Sequence, residues 1–490
     1  MMHEPEKSHR FVVPMKSPNK AGPEAAEGME ERDRAKGNSS QQTTSQAQHW
    51  NDVSFALERV RQVAVKDKEV KFTSLLHHVY NVRLLREAFL GLNRNAAAGV
   101  DGQTWEGYAR NLEANLQDLS DRIRRGAYRA TPVRRAYLEK PDGRQRPLGI
   151  PVLEDKIVQT ATARVLSAIY ETDFLGFSYA FRDQRGPHDA LDALYVALDR
   201  RRVNYVLDAD LQAFFDSLGL ECMAKFLRHR IADERVVHLI QKWLNAGVLE
   251  DGEWRKVQTG TPQGGSISPL LANVYLHYVF DLWVQWWRKQ VAGDVIVVRY
   301  ADDFIVGFER QEDAERFLAE LKQRLAKFGL TLHPDKTRLL TFGRYAAEQR
   351  RRQGLGKPET FQFLGFTHIC GKTRKGAFMV HRHTHRPRMR DKLRKVKEEI
   401  RRRMHEPVPA VGKWLRQVVR GHYNYFAVPT NGHALSLFRY AVVRLWWRVL
   451  SRRSQTARVR WDRMTRISDR WLPTPAILHP FPRLRLCVNT

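Results

Sequence analysis

The chain has 490 residues, with 83 Lys or Arg against 54 Asp or Glu and a net charge of +29. That length allows a large core divided among several lobes, and so positive a balance implies a polyanionic partner bound with steep salt dependence. Three scattered cysteines (Cys222, Cys370, Cys487) exclude a disulfide framework and a Cys-rich zinc module; with no apolar leader and no membrane-length apolar run, a cytoplasmic protein without a membrane partner is expected.

Residues 1–50 are polar and rich in Glu, Ser, Gln and Ala, a composition that predicts a disordered segment. Further on, Lys140 and Arg146 flank a Pro-Asp-Gly turn of hairpin type, where two cations suit a triphosphate. Tyr205-Val-Leu-Asp208-Ala-Asp210-Leu211 reads as a strand whose period of two puts Asp208 and Asp210 on one face. Phe215, just beyond, is placed to crowd a sugar 2′-hydroxyl; Asp208 and Asp216 read as structural, the latter as a helix N-cap. Gly260, Gly264 and Gly265 allow backbone to approach a flat ligand closely, with Gln263 lining the same pocket.

The densest signal is Tyr300-Ala-Asp302-Asp303, set between Val295-Ile-Val-Val and Phe304-Ile-Val-Gly-Phe308. Two β-branched runs around a polar pair predict strand, tight turn, strand. Adjacent carboxylates repel each other unless a cation neutralises them, and hard oxygen ligands of this kind suit Mg²⁺. A third carboxylate from the neighbouring strand, Asp208 or Asp210, completes what two-metal phosphoryl transfer requires.

After the strands comes a basic region. Between Arg382 and Arg403 there are eleven Lys or Arg and three acids, mostly in a helix-compatible stretch, Met389 to Met404. His381, His383 and His385 alternate beside Arg382, Arg386 and Arg388, where an added metal cation is repelled, so nucleic-acid backbone is the expected contact. Trp414 to Phe426 and an amphipathic helix through Phe438, Tyr440, Trp446 and Trp447 follow, then the Pro-containing Leu478-His-Pro-Phe-Pro482.

Asp210-x-x-x-x-Phe215-Asp216 together with Tyr-Ala-Asp-Asp resembles the palm of reverse transcriptases encoded by bacterial group II introns. Other blocks match that family in order: Asn95–Gly102, Lys140–Pro151, Ser178–Gly186 (with Ala180 where Gly is usual), Gln258–Pro269, Gly329–Thr337 and Phe361–Phe366. Arg420-Gly-His-Tyr423-Asn-Tyr-Phe426 resembles the maturase domain, or domain X, which doubles as the thumb. The resemblance implies an α+β right-hand polymerase: fingers and palm over 51–380, thumb and maturase domain over 381–450, a basic Pro-containing tail over 451–490. Asp210, Asp302 and Asp303 would hold two Mg²⁺ ions. Lys140, Arg146, Phe215, Gln263, Gly264 and Lys336 would contact the nucleotide, and Phe363, Leu364 and Gly365 would form the primer grip. Arg394, Lys395, Lys397, Arg420 and Tyr423 would contact RNA. The implied partners are the intron RNA, an RNA template, a DNA primer and dNTPs, with the oligomeric state open. A free-standing reverse transcriptase in defence or repair, or an RNA-binding maturase with incidental polymerase activity, are the alternatives.

Overall fold

The structure is a computed structural model that describes residues 40–139, 145–250, 253–255, 264–453 and 459–486. Eleven strands lie among them: β1 (Val133–Glu139), β2 (Gln145–Ile150), β3 (Tyr205–Asp210), β4 (Val248–Glu250), β5 (Glu253–Arg255), β6 (Val295–Tyr300), β7 (Asp303–Phe308), β8 (Arg338–Thr341), β9 (Phe361–Phe363), β10 (Phe366–Lys372) and β11 (Phe378–Thr384). They form three sheets of order β2-β1-β4-β5, β6-β7-β3-β8 and β11-β10-β9. All neighbours are antiparallel except β1 and β4. With the surrounding helices this is an α+β architecture.

The central sheet is apolar on both faces, so β6 and β7 read as continuous β-branched and aromatic runs rather than alternating ones. One face, carrying Leu207, Ala209, Val297, Phe304 and Val306, packs on the helices Leu153–Asp173, Ser268–Leu276 and Gln311–Ala326. The other, carrying Val206, Ile296, Val298 and Ile305, packs on the helix Pro187–Arg200 and on β9–β11. The period of two puts Asp208 and Asp210 on the second face with Val206. Asp303 pairs directly with Asp210 and shares the face of Ile305.

Beyond β11 a helical unit forms from Arg386–Arg402, Val408–Phe426, Gly432–Leu450 and Trp461–Trp471. Val396, Ile400, Leu415, Val419, Phe438, Trp446 and Met464 make its core. The Trp471 ring lies so close across Gly412 that a Cβ there would sit 2.6 Å from it. Among the described residues no helix is long and apolar enough to cross a membrane.

Several boundaries differ from those the sequence suggests. The segment expected to be disordered through residue 50 is helical from Ser40, in a helix that runs to Lys66; residues 1–39 lie outside the described ones. Val53, Val60 and Ala64 anchor that helix in the core, and an anchored helix propagates into polar sequence at little cost. The division at 380/381 falls inside β11, and the helical unit starts at Arg386. The expected tail from 451 contains the helix Trp461–Trp471, whose Met464 is fully buried.

Asp216 is no N-cap either: it lies within the short helix Phe214–Ser217, which Ala213 precedes at φ +46°. The stretch Phe481–Arg485 straps back onto the helix Pro187–Arg200. Arg483 pairs with Asp199 at 2.6 and 2.8 Å, and Arg485 reaches Asp192 at 2.7 Å and Asp189 at 2.6 Å.

Candidate active site and nucleic-acid interface

Only two residues, Ala301 and Asp302, separate the paired ends Tyr300 and Asp303 of β6 and β7. Ala301 takes φ +59°, as a tight hairpin requires, and a non-glycine residue there carries roughly 1–3 kcal/mol of strain. The turn sets Asp302 at its tip and Asp303 at the head of β7, opposite Asp210 at the end of β3. The backbone N–H of Leu211 donates to the Asp302 carbonyl at 3.4 Å, tying the turn to the residue after Asp210.

Four carboxylates therefore share one end of the sheet. Burial first, then the charges of Asp208, Asp210 and Asp302, push the Asp303 carboxyl well above the ordinary carboxylate range, with Lys336 opposing. Asp208 is buried and its carboxyl is also raised, again mainly by burial; its opposing partner is Arg338 at 3.2 Å. Asp208 thus belongs to the cluster electrostatically, and it also pairs with Arg338. Lys336 places its ammonium on Asp210 rather than in open solvent.

Such a donor set, hard oxygens whose mutual repulsion is only partly relieved by Lys336 and Arg338, fits a divalent cation. Among the described residues, no three His, Cys, Asp or Glu side chains form a ready-made metal cage, the alternating His381, His383 and His385 included.

Around the cluster the expected contacts divide. Lys140 and Gln263 lie outside the described residues, as does the side chain of Arg146, whose backbone belongs to β2 opposite Leu138. Phe215 is half-buried with its ring 5.4 Å from Phe214. Gly264 (φ +128°) approaches protein rather than an open pocket: a Cβ there would lie 2.4 Å from the Gly149 carbonyl of β2. Close backbone approach is the reason for this glycine, but the neighbour is a strand.

Phe363 is buried, and Leu364-Gly365 forms the two-residue turn between β9 and β10, both at positive φ. The Tyr425 hydroxyl donates to the Leu364 carbonyl at 2.8 Å, and the His385 N–H to the Gly365 carbonyl at 3.0 Å. The helical unit thereby holds this turn in place.

On the basic helix, Arg394, Lys395 and Lys397 are exposed, and Arg394 also reaches Asp391 at 3.6 Å; Arg420 is exposed on the next helix. Tyr423 is not: it is 3% exposed in the core of the helical unit, continuing the buried series Val411, Leu415, Val419 at four-residue spacing. That spacing was present in the sequence and marks Tyr423 as core. Arg382 likewise leaves the basic surface, being buried in an ion pair with Asp192 at 2.7 Å. Among the described residues, a cavity of about 1500 Å³ is lined by Phe174, Tyr278, Val297 and Arg288 and by none of the four carboxylates.

The sheet with its acidic turn lies within residues 138–368, which match the family model described as reverse transcriptase (RNA-dependent DNA polymerase). Protein YkfC of Escherichia coli (strain K12) is 33% identical over 314 residues, covering 56% of this chain and 81% of that protein. Group II intron-encoded protein LtrA of Lactococcus lactis subsp. cremoris is 33% identical over 225 residues, covering 45% of this chain and 37% of that protein. A 91 kDa protein in the cob intron of Schizosaccharomyces pombe is 30% identical over 261 residues, covering 43% of this chain and 32% of that protein. The chain belongs to the family of group II intron-encoded reverse transcriptases and maturases.

Proposed function

We propose that the protein copies RNA into DNA at the end of the central sheet and binds the RNA of its intron through the helical unit, assisting splicing and mobility. In this reading β1, β2, β4 and β5 belong to the fingers, the sheet β6-β7-β3-β8 is the palm, and the helices after β11 are the thumb and maturase domain. The observation that carries it is the convergence of Asp210, Asp302 and Asp303 beside Asp208, with Asp303 strongly resisting ionisation although Lys336 lies on Asp210 and Arg338 on Asp208.

Asp210, Asp302 and Asp303 would hold two Mg²⁺ ions. When bound, these favour ionisation of the attacking hydroxyl and stabilise charge on the leaving pyrophosphate. The rest of the work falls to the chain. Lys140 and Arg146 bind the triphosphate through charge-assisted contacts, and Gln263 and Phe215 bound the pocket of base and sugar. The turn Leu364-Gly365, held by Tyr425, grips the primer so that its 3′-hydroxyl faces the α-phosphate in line. Lys336, seated on Asp210, would exchange that carboxylate for a phosphate oxygen of the nucleotide. Catalysis then rests on positioning and electrostatics, as in phosphoryl transfer generally.

The test is extension of a DNA primer annealed to an RNA template by purified protein. Extension should require a divalent cation, and Asp302→Asn should reduce kcat by on the order of a thousandfold while leaving RNA affinity unchanged. Near-normal extension by folded Asp302→Asn protein would sink the assignment.

A further inference from the structure

Arg299 precedes the acidic turn, and its guanidinium lies fully buried beneath it. An arginine has five N–H donors, and here each has an acceptor. Nε donates to Asp281 Oδ1 at 2.7 Å, and Nη2 to Asp281 Oδ2 at 2.6 Å and Ser178 Oγ at 2.7 Å. Nη1 donates to Asn273 Oδ1 at 3.2 Å and to the Ala301 carbonyl at 3.1 Å. The last bond falls on the one residue of the turn with a left-handed backbone, between Tyr300 and Asp302.

The side-chain partners come from one continuous helical run and one loop. Asp281 ends a π-helical turn, His277–Asp281, and Asn273 sits one element earlier in the helix Ser268–Leu276. Ser178 belongs to a loop that also pairs with β6 through its backbone: Arg299 N–H donates to Phe177 O at 2.8 Å, and Tyr179 N–H to Arg299 O at 3.0 Å. Asn273 closes the ring by donating from Nδ2 to the Ala180 carbonyl at 2.7 Å.

We propose that Arg299 is a positioning residue for the catalytic carboxylates: its guanidinium, locked by Asp281, Asn273 and Ser178, holds the Ala301 carbonyl and so fixes the turn that aims Asp302 and Asp303. This rests on the polymerase reading above. A buried arginine whose only task is to neutralise Asp281 needs two of these bonds. The planar fork spends another on the strained turn and two more on segments that pack against it. Lysine offers three donors on one atom and cannot span these acceptors.

The experiment compares Arg299→Lys with Arg382→Lys, since Arg382 is an equally buried partner of an aspartate, Asp192, away from the turn. Four quantities are read: melting temperature, RNA affinity, kcat and KM for dNTP, and Mn²⁺ binding by electron paramagnetic resonance without nucleotide. Both variants should melt lower. Only Arg299→Lys should lose kcat, by on the order of a hundredfold as for a displacement near 1 Å, with KM little changed and Mn²⁺ bound more weakly. Ser178→Ala removes one bond and leaves the Asp281 pair intact; it should show the same changes several-fold smaller, and it decides the matter if Arg299→Lys does not fold.

Equal kcat and Mn²⁺ affinity in wild type and folded Arg299→Lys, or in wild type and Ser178→Ala if the lysine variant is unfolded, overturns the proposal. So does an identical loss in Arg382→Lys. If wild-type protein extends no primer, the polymerase reading fails, and the Mn²⁺ measurement still judges Arg299.

Discussion

The central sheet and the helical unit treat charge in opposite ways. In the sheet, strand register brings Asp208, Asp210, Asp302 and Asp303 together, with Lys336 on Asp210 and Arg338 on Asp208 offsetting part of their repulsion. In the helical unit, Arg394, Lys395 and Lys397 stand apart on an exposed face above an apolar core that includes Val396 and Ile400. Crowded charge stores a demand for a cation at one point, which suits chemistry. Dispersed charge meets a polyanion along a line, which suits binding. The two regions should therefore fail separately.

The largest effect is expected at the crowded end. Asp210→Asn should lower kcat by about a thousandfold, measured by single-turnover extension, and leave the salt dependence of RNA binding untouched. Replacing Arg394, Lys395 and Lys397 together by Ala should do the reverse. Filter binding on one folded RNA should show the slope of log affinity against log salt falling by roughly 0.7–0.9 per lost phosphate contact, while extension at saturating primer-template changes little. If either substitution produced the other's phenotype, the division of labour would be wrong.

A third prediction concerns the core of the helical unit. His422 stacks on Phe438 with ring centroids 3.7 Å apart, and burial, with Lys392 adding to it, lowers its pKa to about 4. The folded state thus keeps this ring neutral, whereas the unfolded chain protonates it below about 6.5. Stability should fall as pH drops from 6.5 to 4, by at most on the order of 3 kcal/mol from this group. His422→Phe should flatten that part of the curve in denaturant melts across pH. A slope unchanged by the substitution would assign the acid sensitivity to other groups.

The smallest effect should be at Lys336. Removing an exposed cation that competes for Asp210 should tighten Mg²⁺ binding, so Lys336→Ala should lower the half-saturating Mg²⁺ concentration by about two- to fivefold. A rise instead would mean that Lys336 supports the metal-loaded arrangement rather than opposing it.

Much of this was written in local sequence. Val295–Val298 and Phe304–Phe308 announce β6 and β7 by composition, and the acidic pair between them leaves room only for a tight turn. The exposed basic helix is legible because eleven cations face three acids between Arg382 and Arg403. What escaped had non-local causes. Arg299, in a strand, reads as one more cation, and its partners Asp281, Asn273 and Ser178 are 18, 26 and 121 residues away. Arg382 was grouped with its basic neighbours because Asp192, its partner, is 190 residues distant. Tyr423 differs in kind: the resemblance implies an RNA contact, whereas the four-residue period it shares with Val411, Leu415 and Val419 places it inside. The helix Trp461–Trp471 was hidden by its many arginines, although Met464 and Ser468 mark a buried stripe.

The strap Phe481–Arg485 gives the chain a particular order of birth. Asp192 emerges from the ribosome 293 residues before Arg485, and Asp199 emerges 284 residues before Arg483. Until those arginines arrive, the helix Pro187–Arg200 carries two buried carboxylates, of which Asp192 pairs with Arg382 and Asp199 has the more distant Arg200 at 3.8 Å. Incompletely paired acids in such positions disfavour burial. The helix Pro187–Arg200 is thus held in part by the last described residues of the chain, and a chain shortened before Arg483 is expected to melt lower than the full one.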